Sequence, residues 1–428
     1  MKINDQATEK VQGFITKLNR SDFLQSMMAG MMGALPATII GAFATLLNSI
    51  SIPVYQSFLQ STGISALLNL AVICTTNIIA LIICMSIAMN YAERKGVKHP
   101  APVAFIALVA FLILTPLNLG TNDWGQATAS IPMDWLGSQG MFSGIVVGVL
   151  VASIYAFVEK KHWTIKMPDS VPPMISEGFA ALVPGIIIGI VFLALKALFG
   201  ATPFGSFHAC IYSILQAPLT GLTSNIWSLS LATIITGILW FFGIHGGAVV
   251  LSIIMPPLMA LDMANMSAVA AGSAAPNGMG LAFYNICTMA GGYIGLQICM
   301  MFCKSERFKT LSKITLLPAV CGISEPLIFG APCVMNTTFA IPFIFGQTIT
   351  LICGYILNLI GVLPNLPGIS APMGTPFLIR SFISGGWRYV LYEIAMLVLL
   401  TFIWMPFVKK ADKEALAAEQ ADTTEESN

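Results

Sequence analysis

The segment Ile314-Thr-Leu-Leu-Pro-Ala-Val-Cys-Gly-Ile-Ser-Glu-Pro-Leu-Ile-Phe-Gly-Ala-Pro-Cys-Val-Met-Asn-Thr337 is apolar and as long as a membrane span, yet Pro318, Gly322, Pro326, Gly330 and Pro332 interrupt it. It cannot be an unbroken lipid-facing helix. In hydrocarbon an unpaired backbone group costs several kcal/mol, so irregular backbone persists only where protein covers it or where it lines a wet cavity. The segment therefore reads as a re-entrant hairpin or broken helix, the means by which transporters build a binding site at membrane depth. Similar interruptions recur at 200–221, at 267–280 around Pro276-Asn277-Gly278, and at Leu363-Pro-Asn-Leu-Pro-Gly-Ile-Ser-Ala-Pro-Met-Gly-Thr-Pro376.

The rest of the chain supports a membrane setting. Its 428 residues are 56% hydrophobic and only 9% charged, against roughly 25% charge in an ordinary soluble domain; the mean hydropathy is +0.83. With a net charge of +1 there is no broad basic face, which excludes nucleic acid as a partner. The nine cysteines are scattered through runs such as Ile82-Ile83-Cys84-Met85 and read as small buried hydrophobes. No Cys-x-x-Cys pair, metal-ligand spacing or ATP-binding Gly-x-x-x-x-Gly-Lys-Ser/Thr loop occurs, so neither metal nor cofactor is expected.

The expected fold is an all-α polytopic membrane protein. Apolar runs predict ten spans, near 26–49, 65–90, 101–117, 141–159, 178–199, 225–243, 246–262, 284–303, 338–362 and 389–408. Basic residues gather in alternate connections. Lys2, Lys10, Lys17 and Arg20 precede the first span; Arg94, Lys95 and Lys98 follow the second, and Lys160, Lys161 and Lys166 the fourth. Lys304, Arg307, Lys309 and Lys313 follow the eighth, and Lys409, Lys410 and Lys413 the tenth, whereas 50–64, 118–140 and 200–224 contain no Lys or Arg. This bias predicts that both termini are cytoplasmic. Lys196, Arg380 and Arg388 are the exceptions; Lys196 is placed to snorkel to the interface, and the two arginines need another account. Glycine pairs Gly144/Gly148 and Gly185/Gly189 would allow close helix contact in a scaffold or a dimer face.

Where charge is this scarce, single ionisable residues stand out. Between Lys313 and Arg380 the one carboxylate or base is Glu325. An acid in so apolar a stretch costs roughly 2.5 kcal/mol or more at the bilayer centre and should face a cavity. Among Ala197–Cys303 the ionisable side chains other than Cys and Tyr are His208, His245 and Asp262. His245 sits in Phe242-Gly-Ile-His-Gly-Gly247, where glycines remove bulk around the imidazole and invite close approach of a ligand or of backbone.

Gly322-Ile-Ser-Glu-Pro-Leu-Ile-Phe-Gly-Ala-Pro332, the Phe-Gly-Ile-His-Gly stretch, Lys166-Met-Pro-Asp-Ser-Val-Pro-Pro173 and Ser384-Gly-Gly-Trp-Arg388 occur in an order and spacing that resemble the membrane permease, enzyme IIC, of the bacterial sugar phosphotransferase system. They point to its lactose/cellobiose/diacetylchitobiose branch, and the resemblance covers essentially the whole chain. It implies ten spans with hairpins in the enzyme IIC fold of the glucose-superfamily type, and a homodimer in the bacterial cell membrane. It also implies a division into a cytoplasmic arm (1–25), a scaffold and dimerisation domain with an amphipathic linker (26–177), a sugar-binding transport domain (178–408) and a cytoplasmic tail (409–428).

The function implied is uptake of a β-linked disaccharide whose 6-hydroxyl is presented to a phosphocysteine on cytoplasmic enzyme IIB, itself supplied by enzyme IIA. The phosphoryl donor would be a separate protein, because the tail has no room for a phosphocysteine domain. By resemblance Glu325 would accept a hydrogen bond from the reacting hydroxyl and His245 would bind beside it. The chemistry is compatible, since a hydroxyl attacking phosphorus needs an acceptor for its proton. Trp387 offers an aromatic face to a pyranose, or anchors a span at the interface. Gln139 matches a polar family position and also suits an outer-loop turn; Arg94 reaches the pocket or is an ordinary cytoplasmic-side charge; Arg388 neutralises a passing phosphate or fixes a helix end; Asn277 binds ligand or caps a turn. Ser324 stands where the family usually has Asn before Glu-Pro, and Asn336-Thr337 where it has Asn-Pro, so sugar preference is open. The competing reading is an ion-coupled sugar symporter, with Asp262 and Glu325 as ion sites.

Overall fold

The computed structural model describes residues 21–49, 53–121, 124, 126–165, 168, 171–243, 245–288, 292–331, 333–371 and 374–425. The basic arm before Ser21 and half of the motif beginning at Lys166 (166, 167, 169 and 170) lie outside the described residues. Among these residues seven helices are long and apolar enough to cross a membrane, and eight if Phe207–Thr223 and Ile226–Phe241, which meet at a 79° bend, count as one broken span. Three of the ten expected spans take a different form: the sixth, 225–243, is the Ile226–Phe241 half of that bent pair. The third is a short apolar helix, Ala101–Leu114. The eighth is two short helices, Leu281–Cys287 and Ile294–Met301. At Gly292 the backbone is left-handed (φ 74°), and an added Cβ would lie 2.6 Å from the Gln347 amide, so the neighbouring helix takes the place of a continuous turn. One small β-hairpin joins the otherwise helical fold: Asn118–Thr121 pairs antiparallel with Ala127–Ser130, Asn118 opposite Ser130, in an exposed, Thr-containing connection whose residues suit a pleated strand.

The described residues form two compact units. One runs to Gly221 and regains Ser252–Ser273; the other holds Leu222–Leu251 and everything from Ala274.

The first unit is held by small-residue packing. Helices Ile79–Arg94 and Met141–Lys160 approach until a Cβ on Gly144 would lie 2.7 Å from the Ala80 carbonyl oxygen, and one on Gly148 2.8 Å from that of Cys84. Ala80, Cys84, Ala88, Ala107, Phe111, Val147, Val151 and Phe192 fill the core around them. Among the described residues nothing lies within 4 Å of a Cβ built on Gly189 and one on Gly185 meets only the Ile106 side chain at 3.5 Å, so of the two pairs it is Gly144/Gly148 that makes the close helix contact. Lys196 is accounted for by the fold: its ammonium donates to the Thr115 carbonyl (3.1 Å), and the Thr115 hydroxyl lies 3.1 Å from Nε2 of buried His208.

In the second unit polar side chains tie the helices together. Gln347 donates to the Thr233 carbonyl (2.7 Å), the Thr233 and Thr348 hydroxyls are 2.8 Å apart, and Trp404 donates to the Gly292 carbonyl (3.1 Å). Such bonds replace the hydrophobic drive that lipid does not supply. The expected tail is helical through Glu425, within Phe377–Glu425. Its Asp412 accepts the Lys304 and Ser305 amides (2.9 Å each at the nearer oxygen), and Glu419 accepts those of Glu306 and Arg307 (3.1 and 3.0 Å). These carboxylates cap the first turn of helix Glu306–Val320, where backbone N–H groups lack helical partners and the helix dipole favours negative charge. On that helix Lys309, 2.8 Å from Glu306, holds the Glu306 carboxyl below its ordinary range.

Candidate functional site

Two helix ends build the site. Helix Ile226–Phe241 stops at Gly243, whose φ of 78° is the left-handed conformation that closes a helix, with the Phe242 and Gly243 amides turned back onto Ile238 and Trp240. Helix Glu306–Val320 stops in the same way at Gly322 (φ 79°), the Ile323 amide bonding back to Pro318 at 2.9 Å. The two exits are tied by the Met335 amide, which donates to the Phe241 carbonyl at 2.9 Å. Gly243 faces Val334, and a Cβ on Gly246 would sit 2.2 Å from the Thr236 carbonyl oxygen. Of the glycines around His245, Gly246 is thus needed for backbone approach, Gly243 for its left-handed turn, and Gly247 faces the imidazole itself.

Chain reversal at these glycines brings together residues 80 positions apart. His245 Nε2 lies 3.2 Å from Glu325 Oε1. Glu325 opens the short helix Glu325–Gly330, with Pro326 at the next position and the Ser324 carbonyl accepting the Leu327 and Ile328 amides. This places the carboxylate where a helix start favours negative charge. The Trp240 ring lies 4.4 Å from the imidazole, centroid to centroid, and Phe329 lies against Trp240 at 6.3 Å. Side-chain exposures of 48% for His245 and 42% for Glu325 leave the pair open to a ligand. With a proton on Nε2 the imidazole donates to Oε1, which leaves Oε2 to accept a hydroxyl proton.

Other candidate residues lie in separate surroundings. Trp387 and Arg388 stack on each other (5.6 Å), and Arg388 donates to the Val362 carbonyl at 3.4 Å. They line a cavity of about 480 Å³ with Leu357, Leu363, Leu391 and Tyr392. Asn277 is half-buried in the irregular stretch before Gly280; that stretch is pinned by Asn365, which donates to the Ala275 carbonyl at 2.9 Å, and Asn358, 3.1 Å from Asn365. Gln139 and Arg94 belong to the first unit. Gln139 is exposed on the turn Ser138–Gly140, and Arg94 donates to Gln25. Beside it Lys95 pairs with Asp22 at 2.7 Å, which raises the lysine pKa.

Sequence reasoning passed over Trp240 and Glu393. Trp240 was legible as the aromatic three residues before the glycine turn. Glu393, fully buried, accounts for Arg380, one of the two arginines left unexplained: the pair meets at 3.4 Å.

A broken-helix membrane fold with a histidine–carboxylate pair at its helix breaks defines a transporter-like protein. The description "Phosphotransferase system, EIIC" matches residues 28–346, and the chain belongs to that family, as a multi-pass membrane protein. It is 32% identical to the oligo-β-mannoside-specific EIIC component of Bacillus subtilis (strain 168), over 98% of this chain and 97% of that one. It is 27% identical to the lactose-specific EIICB component of Lactococcus lactis subsp. lactis, over 97% of this chain and 74% of that one. Its fold matches the crystal structure of ChbC, the IIC component of the N,N'-diacetylchitobiose-specific phosphotransferase system, with a TM-score of 0.88 at 30% identity, covering 96% of this chain and 98% of that chain.

Proposed function

We propose that this permease takes a β-linked disaccharide of the cellobiose, diacetylchitobiose or lactose class from outside the cell and presents its 6-hydroxyl to a phosphocysteine on enzyme IIB. The observation that carries the reading is the 3.2 Å approach of His245 to Glu325, in a family whose relatives are named for β-mannosides, lactose and diacetylchitobiose. Glu325 accepts the hydroxyl proton as the phosphoryl group arrives, and His245 orients the carboxylate and binds the sugar beside it. Transfer to an alcohol asks the protein mainly for positioning and charge stabilisation, and a carboxylate with one oxygen held by an imidazole supplies the first.

Trp387 provides a stacking face, Arg388 neutralises phosphate, and Ser324 and Asn277 complete the polar contacts. The scaffold within 26–177 forms the dimer, 178–408 carries the sugar, and both termini face the cytoplasm. Enzyme IIB as a partner is supported by the lactose relative, whose name joins the C and B components.

Vesicles loaded with phosphorylated enzyme IIB test the reading. Sugar 6-phosphate should accumulate only when that partner is present, and direct binding across a panel of β-linked disaccharides should single out the substrate. Accumulation of unmodified sugar driven by an ion gradient would sink it.

A further inference from the structure

The last long helix is not one helix. Within Phe377–Glu425, Gly386 has φ 70° and ψ −166°, a region essentially closed to residues with a Cβ. Arg380 and Glu393 lie on either side of it, 13 residues apart, yet their side chains meet at 3.4 Å. In a straight α-helix two such residues would be about 20 Å apart along the axis, further than an arginine and a glutamate can reach together. The contact therefore exists only because the chain turns back at Gly386.

The two arms of the turn are held differently. On the second arm Tyr389 donates to the Pro364 carbonyl at 2.8 Å and Tyr392 to that of Thr350 at 2.5 Å, while Glu393 is fully buried. On the first arm Arg380, 15% exposed, lines a cavity of about 10 Å³ with Asn285, Ser370 and Ser384. Arg380 Nε and Glu393 Oε2 have no hydrogen-bond partner among the described residues. A buried ion pair satisfied only in part is a poor source of stability, because desolvation of both charges offsets their attraction. What it does impose is a geometry, since neither charge tolerates being buried alone.

We propose that Arg380 and Glu393 are positioning residues, a charge clamp that holds the bend at Gly386 and so sets the placement of the corner residues Trp387 and Arg388. The proposal rests on the permease reading for what the corner serves. The clamp itself does not need that reading. Without the pair the second arm stays anchored by its tyrosines, the first arm swings about Gly386, and the corner loses its place.

The test replaces both charges by apolar residues, Arg380→Met together with Glu393→Leu, and compares this variant with the reversed pair, Arg380→Glu with Glu393→Arg, in the full-length detergent-solubilised protein. Hydrogen exchange of the amides around the bend reads the clamp, and binding of cellobiose and N,N'-diacetylchitobiose reads its consequence. The apolar variant should exchange at least tenfold faster at the bend and bind sugar about tenfold more weakly, with both partly restored in the reversed pair. Unchanged exchange overturns the clamp. Faster exchange with unchanged affinity overturns its positioning role. If the apolar variant does not fold, the reversed pair decides: exchange and affinity within threefold of the parent support the clamp, and a tenfold change in either refutes it. A parent protein that binds neither sugar counts against the permease reading, while the exchange comparison still judges the clamp.

Discussion

Both compact units bring helix backbones together at glycines, Gly144 and Gly148 in the first and Gly237 and Gly295 in the second, but they differ in what they add to that packing. The first adds an apolar core around the Ala80 and Cys84 carbonyls that its glycines meet. The second breaks its helices and lets polar side chains bridge the gaps: His245 to Glu325, Arg380 to Glu393, Gln347 to Thr233. Broken helices leave oriented ends and isolated charges, the materials of a site.

The contrast can be broken most sharply at Glu325. Glu325→Gln keeps shape and hydrogen-bonding capacity but cannot take a proton, so phosphorylation by loaded enzyme IIB should fall at least ~100-fold, in the range of a lost general base, with sugar binding retained. Equal loss of both would make Glu325 a binding residue only. Next comes the first unit, where Gly144→Leu should lower stability by about 3 kcal/mol through overpacking, read as a fall in melting temperature in detergent; an unchanged melt would show that the helices can separate freely. His245→Ala should weaken sugar binding about tenfold, roughly 1.4 kcal/mol, and calorimetry showing unchanged affinity would remove His245 from the sugar site. The smallest effect is expected at Gly189, where a Cβ meets none of the described residues: Gly189→Ala should change the melt by no more than about 0.5 kcal/mol, and a large loss would place that face in a contact with another chain.

Much of this was legible in advance. The interruptions at Pro318, Gly322, Pro326 and Gly330 announced a broken segment, and Glu325 stood out by the poverty of charge around it. The span at 284–303 does not form the one helix that hydropathy suggests, because hydropathy measures composition over a window and takes no account of a glycine, Gly292, at which a neighbouring backbone enters. Glu393 went unnoticed because one acid within an apolar run stands out only when its opposite, Arg380, is known to reach it. That knowledge depends on the turn at Gly386, which local propensity does not specify.

By itself, then, the sequence determined the solvent of this protein, the places where its helices must break, and which few ionisable groups could be functional. These follow from transfer energies and backbone restrictions, which act locally. Tertiary structure alone decided that His245 meets Glu325 across 80 positions and that Arg380 meets Glu393 across 13. Such meetings depend on left-handed glycine turns and on single long-range bonds such as that of the Met335 amide to the Phe241 carbonyl, and partners of this kind are chosen by packing in three dimensions.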